Sequence, residues 1–153
     1  MIFSWQLVIF TFDNLGTPKN PENPVYDDDP DFIDTGLGGF LMTRKEHQHL
    51  AYENWGKHKV PTLRNVGKGP NENFPKAYMH NGVFKSLKEV VHFYNTRDVE
   101  EWPDPEVAKN VNDAELGDLG LTDAEEDAIV AFMHTLSDGY KLKEKWIEPP
   151  MSL

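Results

Sequence analysis

The chain has no cysteine among its 153 residues. That excludes disulfides and every thiolate metal site, and it leaves the redox compartment unreadable from cysteine usage. A long apolar run is also missing. The opening residues 1–10 are apolar but too short, since crossing a bilayer takes roughly 20 apolar residues. They have no basic flank and no small-residue cleavage site, so they do not read as a signal peptide. Positive charge is scarce as well: 15 Lys and Arg stand against 26 Asp and Glu, a formal net charge of −11. Such a field repels phosphate backbones and argues against nucleic acid as a partner, while it would attract a small basic protein. Its simplest consequence is solubility. There is no internal repeat, no Gly-rich phosphate loop, no nucleophile elbow and no zinc protease motif.

What remains is 39% hydrophobic, with 11 Gly and 11 Pro, a globular composition rich in loops and of a length that suits one domain. Residues 7–12 read as a buried extended segment. Residues 13–40 read as loop, because Pro18, Pro21, Pro24 and Pro30 interrupt helix and Asp27, Asp28 and Asp29 form a solvated charge run. That run lacks the spacing of an EF-hand. Residues 43–54 read as a short helix with Thr43 as N-cap and Glu46 three residues on. Residues 56–85 form a long irregular stretch of the kind that wraps something, a cofactor being the natural candidate.

The next helix starts at the capping box Ser86 and Glu89, with Leu87, Val90, Val91 and Tyr94 on one apolar face. Residues 98–112 are loop again, and Asp113 suits the start of a single turn ending at Gly117. The last helix has the box Thr122 and Glu125, acids in its first turn, a buried stripe of Ile129, Phe132, Met133 and Leu136, and Gly139 as its C′ residue. The fold class is therefore mostly α, with short helices and long loops and little that alternates as a strand. A porphyrin would replace much of the missing side-chain core in such a fold.

Five segments carry a family resemblance. They are Phe10-Thr11-Phe12-Asp13-Asn14-Leu15-Gly16, Gly36-Leu37-Gly38-Gly39-Phe40, Lys59-Val60-Pro61-Thr62-Leu63-Arg64-Asn65-Val66, Ala77-Tyr78-Met79-His80-Asn81-Gly82-Val83-Phe84 and Glu115-Leu116-Gly117-Asp118-Leu119-Gly120-Leu121-Thr122. Together they resemble the C-terminal haem domain of bacterial di-haem cytochrome c peroxidases, a group that includes the methylamine-utilisation di-haem enzymes. The resemblance implies a cytochrome c-like domain over residues 10–140, a truncated or non-native start at 1–9 and a tail at 141–153. It implies haem c as cofactor, reduction of hydrogen peroxide with electrons from a small donor protein, and a periplasmic location. Covalent attachment is not possible here, because the family tethers haem through Cys-x-x-Cys-His and this chain has no Cys. The expectation is then a partial, electron-accepting module, inactive alone and lacking its N-terminal haem domain. The alternatives are half of a split protein that docks onto a haem-bearing partner, and a haem-free interaction module.

The same resemblance assigns candidate site residues. Tyr94 occupies the position of the second axial ligand, as in the methylamine-utilisation enzyme; the alternative is a core tyrosine. Met79, a thioether on a Gly- and Asn-rich loop, is the rival ligand, or else a gap-filler. His80 either ligates iron or organises its loop. Arg64 pairs with a haem propionate or bonds within its loop. Pro75 and Ala77 match carbonyl donors to an interdomain calcium, but Pro75-Lys76-Ala77 departs from the family's usual Thr-Ala-Pro and leaves calcium doubtful. His47, His49 and His58 are close in sequence, yet their polar surroundings favour a solvated helix end over a metal site. His92 and His134 receive no role.

Overall fold

The computed structural model describes residues 11–69, 71, 74 and 76–141. The expectations for residues 1–9, for Pro75 and for the tail beyond residue 141 lie outside these. In chain order the elements are β1 (Phe12–Asp13), α1 (Val25–Asp28), α2 (Gly36–Met42), 3-10 turns at Gln48–Leu50 and Tyr52–Asn54, β2 (His58–Lys59), α3 (Leu87–Thr96) and α4 (Asp123–Thr135). Helices thus make up nearly all the regular structure, and long loops connect them. The one ladder is the antiparallel pair β1–β2, with Phe12 opposite Lys59 and Asp13 opposite His58. Among the described residues no helix is long and apolar enough to cross a membrane.

Both capping boxes form. The Ser86 hydroxyl accepts from the Glu89 N–H at 3.1 Å, and Glu89 accepts from the Ser86 N–H at 2.7 Å. Thr122 and Glu125 repeat the arrangement at the head of α4. Each box satisfies backbone donors that a helix start otherwise leaves open.

Several expectations give way. Residues 43–54 do not form a helix. Thr43 ends α2 instead of starting a new one, its hydroxyl and its N–H both donating to the Phe40 carbonyl at 2.7 and 3.1 Å. A threonine that bonds back to the preceding turn favours termination. Residues 13–40 are not all loop. Pro24 sits at the N-cap of α1, where a missing N–H costs nothing. The glycines of α2 let its backbone lie against another segment, since a Cβ at Gly38 would stand 2.6 Å from the Ala51 carbonyl oxygen. Phe12 is extended, as expected, but exposed. The turn before Gly117 is organised by Asn112, whose Oδ1 accepts from the N–H groups of Ala114 and Glu115, and not by Asp113. Helix α4 stops at Thr135 with Leu136 as its cap, so Gly139, at φ +82°, lies in a turn beyond it.

Helices α3 and α4 pack through Leu87, Val91 and Met133, with Val66, Tyr78 and Val130 against them. The stripe expected on α4 is misplaced: Met133 is buried, but Ile129 and Phe132 are exposed. Their inward places are taken by Val130 and by Glu126, which is 2% exposed. A second cluster surrounds Phe93, fully buried, whose ring lies 5.1 Å from Phe84 and 5.2 Å edge-on from Trp102. Such tilted pairs add to the area term.

Buried polar groups do much of the remaining work. Glu126 lies 2.9 Å from His92 Nδ1, 2.7 Å from Asn95 Nδ2 and 3.1 Å from Lys88 Nζ, all on α3. Burial pushes its carboxyl up, but the bonds from His92, Asn95 and Lys88 outweigh that and hold it at about 2. Asn14 donates to the carbonyls of Val107 and Lys109 and accepts from the Gly16 N–H. Arg97 donates to the Leu15 carbonyl and to Asp98. No buried side-chain nitrogen or oxygen among the described residues lacks a partner.

Two consequences are measurable. Glu126→Gln breaks a buried charged network and should destabilise the chain by about 3 kcal/mol near pH 6 in urea melts. Phe93→Ala should cost about 3–5 kcal/mol in the same assay. The pH dependence follows from signs. The Glu126 contribution is complete above its ordinary value of 4.5 and fades as pH falls towards about 2. The His92 value is raised, chiefly by its bond to Glu126, so its contribution is complete below 6.5 and fades as pH rises through the raised value. Melts should therefore be steadiest between those limits, and Glu126→Gln should flatten the acid limb.

Candidate functional site

The loop before α3 turns at Met79, which adopts φ +68°, a left-handed conformation that is costly for a residue with a side chain. The turn is closed by the Tyr78 N–H donating to the Phe84 carbonyl at 2.8 Å and by Asn81, whose Nδ2 donates to the Pro18 carbonyl at 2.7 Å. Strain of this kind collects at functional sites because the surroundings must over-determine it. Met79 is partly buried there.

His80 follows, and its Nε2 sits 3.2 Å from Glu106 Oε2. The Glu106 side chain is 2% exposed and is a hub. It also accepts from the Asp34 N–H at 3.0 Å, from Asn81 Nδ2 at 3.1 Å and from the Tyr26 hydroxyl at 3.5 Å. The His58 ring, on β2, stacks on His80 with centroids 3.7 Å apart and planes 9° from parallel. Burial, then the neighbouring His80, lowers the His58 value and favours its neutral form. Burial, then Glu106, raises the Tyr26 phenol.

The other candidates stand elsewhere. Tyr94, on α3, is partly buried, and its phenol is raised by burial and then by Asp13. Arg64 is exposed and forks onto Asp138, Nε to Oδ1 at 3.0 Å and Nη2 to Oδ2 at 3.2 Å. Asn65 adds a bond to the same carboxylate at 2.9 Å, tying this loop to the segment after α4. Among the described residues no hydrogen bond or ring contact joins Arg64, Met79, His80 and Tyr94 to one another. Two open clefts stand out. The larger, about 530 Å³, is lined by acids including Asp98, Glu100, Glu101 and Asp104, together with Arg97 and Trp102. The second is lined by Lys19, Pro21, Tyr26 and Pro103. Neither is lined by Arg64, Met79 or Tyr94.

Sequence reasoning missed Asp34 and Glu106. Each is one acid among many, in a Pro-rich or Gly-rich loop, and no local pattern marks it. The sequence grouped His58 with His47 and His49. The structure pairs it with His80 and leaves His47 and His49 in an exposed turn region.

No family model matches the chain. It is 38% identical over 144 residues to the methylamine utilization protein MauG of Paracoccus denitrificans (strain Pd 1222), a match over 84% of this chain and 34% of that protein. It is 35% identical over 124 residues to the cytochrome-c peroxidase IdrP2 of Pseudomonas sp. (strain SCT), covering 78% of this chain and 29% of the relative. Among solved structures, a tyrosine-to-methionine variant of the diheme peroxidase BthA from Burkholderia thailandensis superposes with a TM-score of 0.62 at 27% identity, over 84% of this chain and 33% of that one. The chain thus spans about a third of the length of the relatives it matches. Helices, long loops and these matches agree: the chain belongs to the di-haem cytochrome c peroxidase family.

Proposed function

We propose that this chain is an electron-accepting haem module of a di-haem peroxidase. In this reading it takes electrons from a small basic donor and hands them to a second haem, in another domain, where hydrogen peroxide is reduced. The observation that carries the reading is the shortage of apolar interior. Among the described residues the buried hydrophobic core comprises eight side chains, with Pro18 buried besides, while eleven large hydrophobic side chains are exposed, including Phe12, Leu63, Ile129 and Phe132. A chain of this size ordinarily buries more, and a porphyrin would supply the missing apolar area.

A bound haem supplies reversible one-electron chemistry. The residues would hold it without a covalent tether, since there is no cysteine. Tyr94 would be the favoured iron ligand and Met79 the rival. The buried Tyr94 phenol keeps its proton more tightly than usual, so ligation has to displace that proton. Arg64 would have to exchange Asp138 for a propionate, a substitution of one bidentate carboxylate by another. The net charge of −11 suits a basic electron donor. A periplasmic location accords with the resemblance. The exposed Ile129 and Phe132 on α4 also favour the alternative that the chain docks onto a haem-bearing partner.

Titration of the purified chain with hemin tests the reading. The expected result is a saturable Soret shift with one equivalent and a more cooperative thermal melt. Tyr94→Phe should change the band positions and weaken binding by about tenfold or more. Peroxide turnover should be absent from the chain alone. An unchanged melt with no saturable absorbance change would remove the haem-module reading and favour docking.

A further inference from the structure

The geometry points to a site for a divalent transition-metal ion formed by Asp34, His58 and His80, with Glu106 orienting His80. One ligand atom from each of Asp34, His58 and His80 lies within 4.8 Å of the others. The three come from separate segments, and each segment is fixed by contacts that do not involve the site. His58 is held on β2 by its pairing with β1. Asp34 lies just before α2, where the Leu37 N–H donates to the Lys57 carbonyl at 2.8 Å. His80 is held by the Tyr78 to Phe84 closure and by the Asn81 bond to Pro18. Convergence of this kind comes from the fold and not from local sequence.

The donor set is chemically specific. Two imidazoles and one carboxylate suit zinc, copper, nickel or cobalt, not calcium or magnesium, which prefer oxygen throughout. A tetrahedral ion with metal–nitrogen distances near 2.0–2.1 Å separates two nitrogens by about 3.3 Å. The rings now stack face to face with planes 9° apart, so their in-plane lone pairs run nearly parallel, and binding an ion requires one imidazole to swing out of the stack while its nitrogen stays within the 4.8 Å cluster. With Nε2 of His80 facing Glu106, Nδ1 is left for the ion, an outer carboxylate behind a ligating histidine. Asp34 and Glu106 together balance a dipositive charge. Three protein ligands leave the fourth position to water.

The test is titration of the full, hemin-free chain with Co²⁺ and then with Zn²⁺ at neutral pH, read by calorimetry and by visible cobalt absorption. One equivalent should bind with a tetrahedral cobalt spectrum, and Zn²⁺ should displace it. His58→Gln and His80→Gln should each weaken binding by about tenfold to a hundredfold, and Glu106→Gln by a comparable factor. A His47→Gln, His49→Gln double variant should bind like the parent. Histidine ring nitrogen NMR of the unmutated chain guards against unfolded variants: Zn²⁺ should move the His58 and His80 signals selectively. The site is disproved if no stoichiometric binding occurs, if His58→Gln binds as the parent does, or if other histidines respond instead.

Discussion

Glu126 ties together the two helices on which the rest of the chain hangs. Its carboxylate is buried at the junction of α3 and α4 and is met there by Lys88, His92 and Asn95, three side chains of α3. A charge at that depth is tolerable only with such partners, and with them it fixes one register between the helices. Asn95 extends the junction, because it also donates to the Leu121 carbonyl and accepts from the Leu121 N–H. The chain entering α4 is thereby fixed to α3 before the helix begins.

The same device recurs in the loops. Asn14, Asn81, Asn110 and Asn112 each bridge segments far apart in sequence, mostly through backbone carbonyls. An asparagine amide can donate and accept at once, so it replaces the hydrogen bonds that a loop cannot make to itself. The apolar interior, by contrast, is split between the Leu87–Val91–Met133 cluster and the Phe84–Phe93–Trp102 rings. A fold held this way keeps its loop geometry while leaving apolar side chains at its surface, a suitable state for a module that receives a large flat cofactor or a partner.

Glu106 plays the corresponding part among the loops. It gathers Tyr26, Asp34, His80 and Asn81 around one carboxylate, and β2 brings His58 onto His80. The Met79 turn is held in its left-handed conformation beside that network. The Met79 turn and the histidine pair therefore share a support.

The sequence by itself determined what depends on neighbours a few residues away. Ser86 with Glu89 and Thr122 with Glu125 announce α3 and α4, because a capping box is closed within one turn. The absence of cysteine means that none of these 153 residues can form a thioether link, and the family segments are legible as strings. Only the tertiary structure decided which faces are covered. Ile129 and Phe132 have the spacing of a buried stripe, yet α4 turns Glu126 and Val130 inward, because α3 offers cationic and amide partners at that place. Thr43 reads from its neighbours as a helix start, with Glu46 three residues on, but the preceding α2 made it a stop. Asp34, His58, His80 and Glu106 are scattered over more than seventy residues, and no local pattern could have joined them. Their meeting depends on loop-to-loop hydrogen bonds, which exist only once the chain has folded.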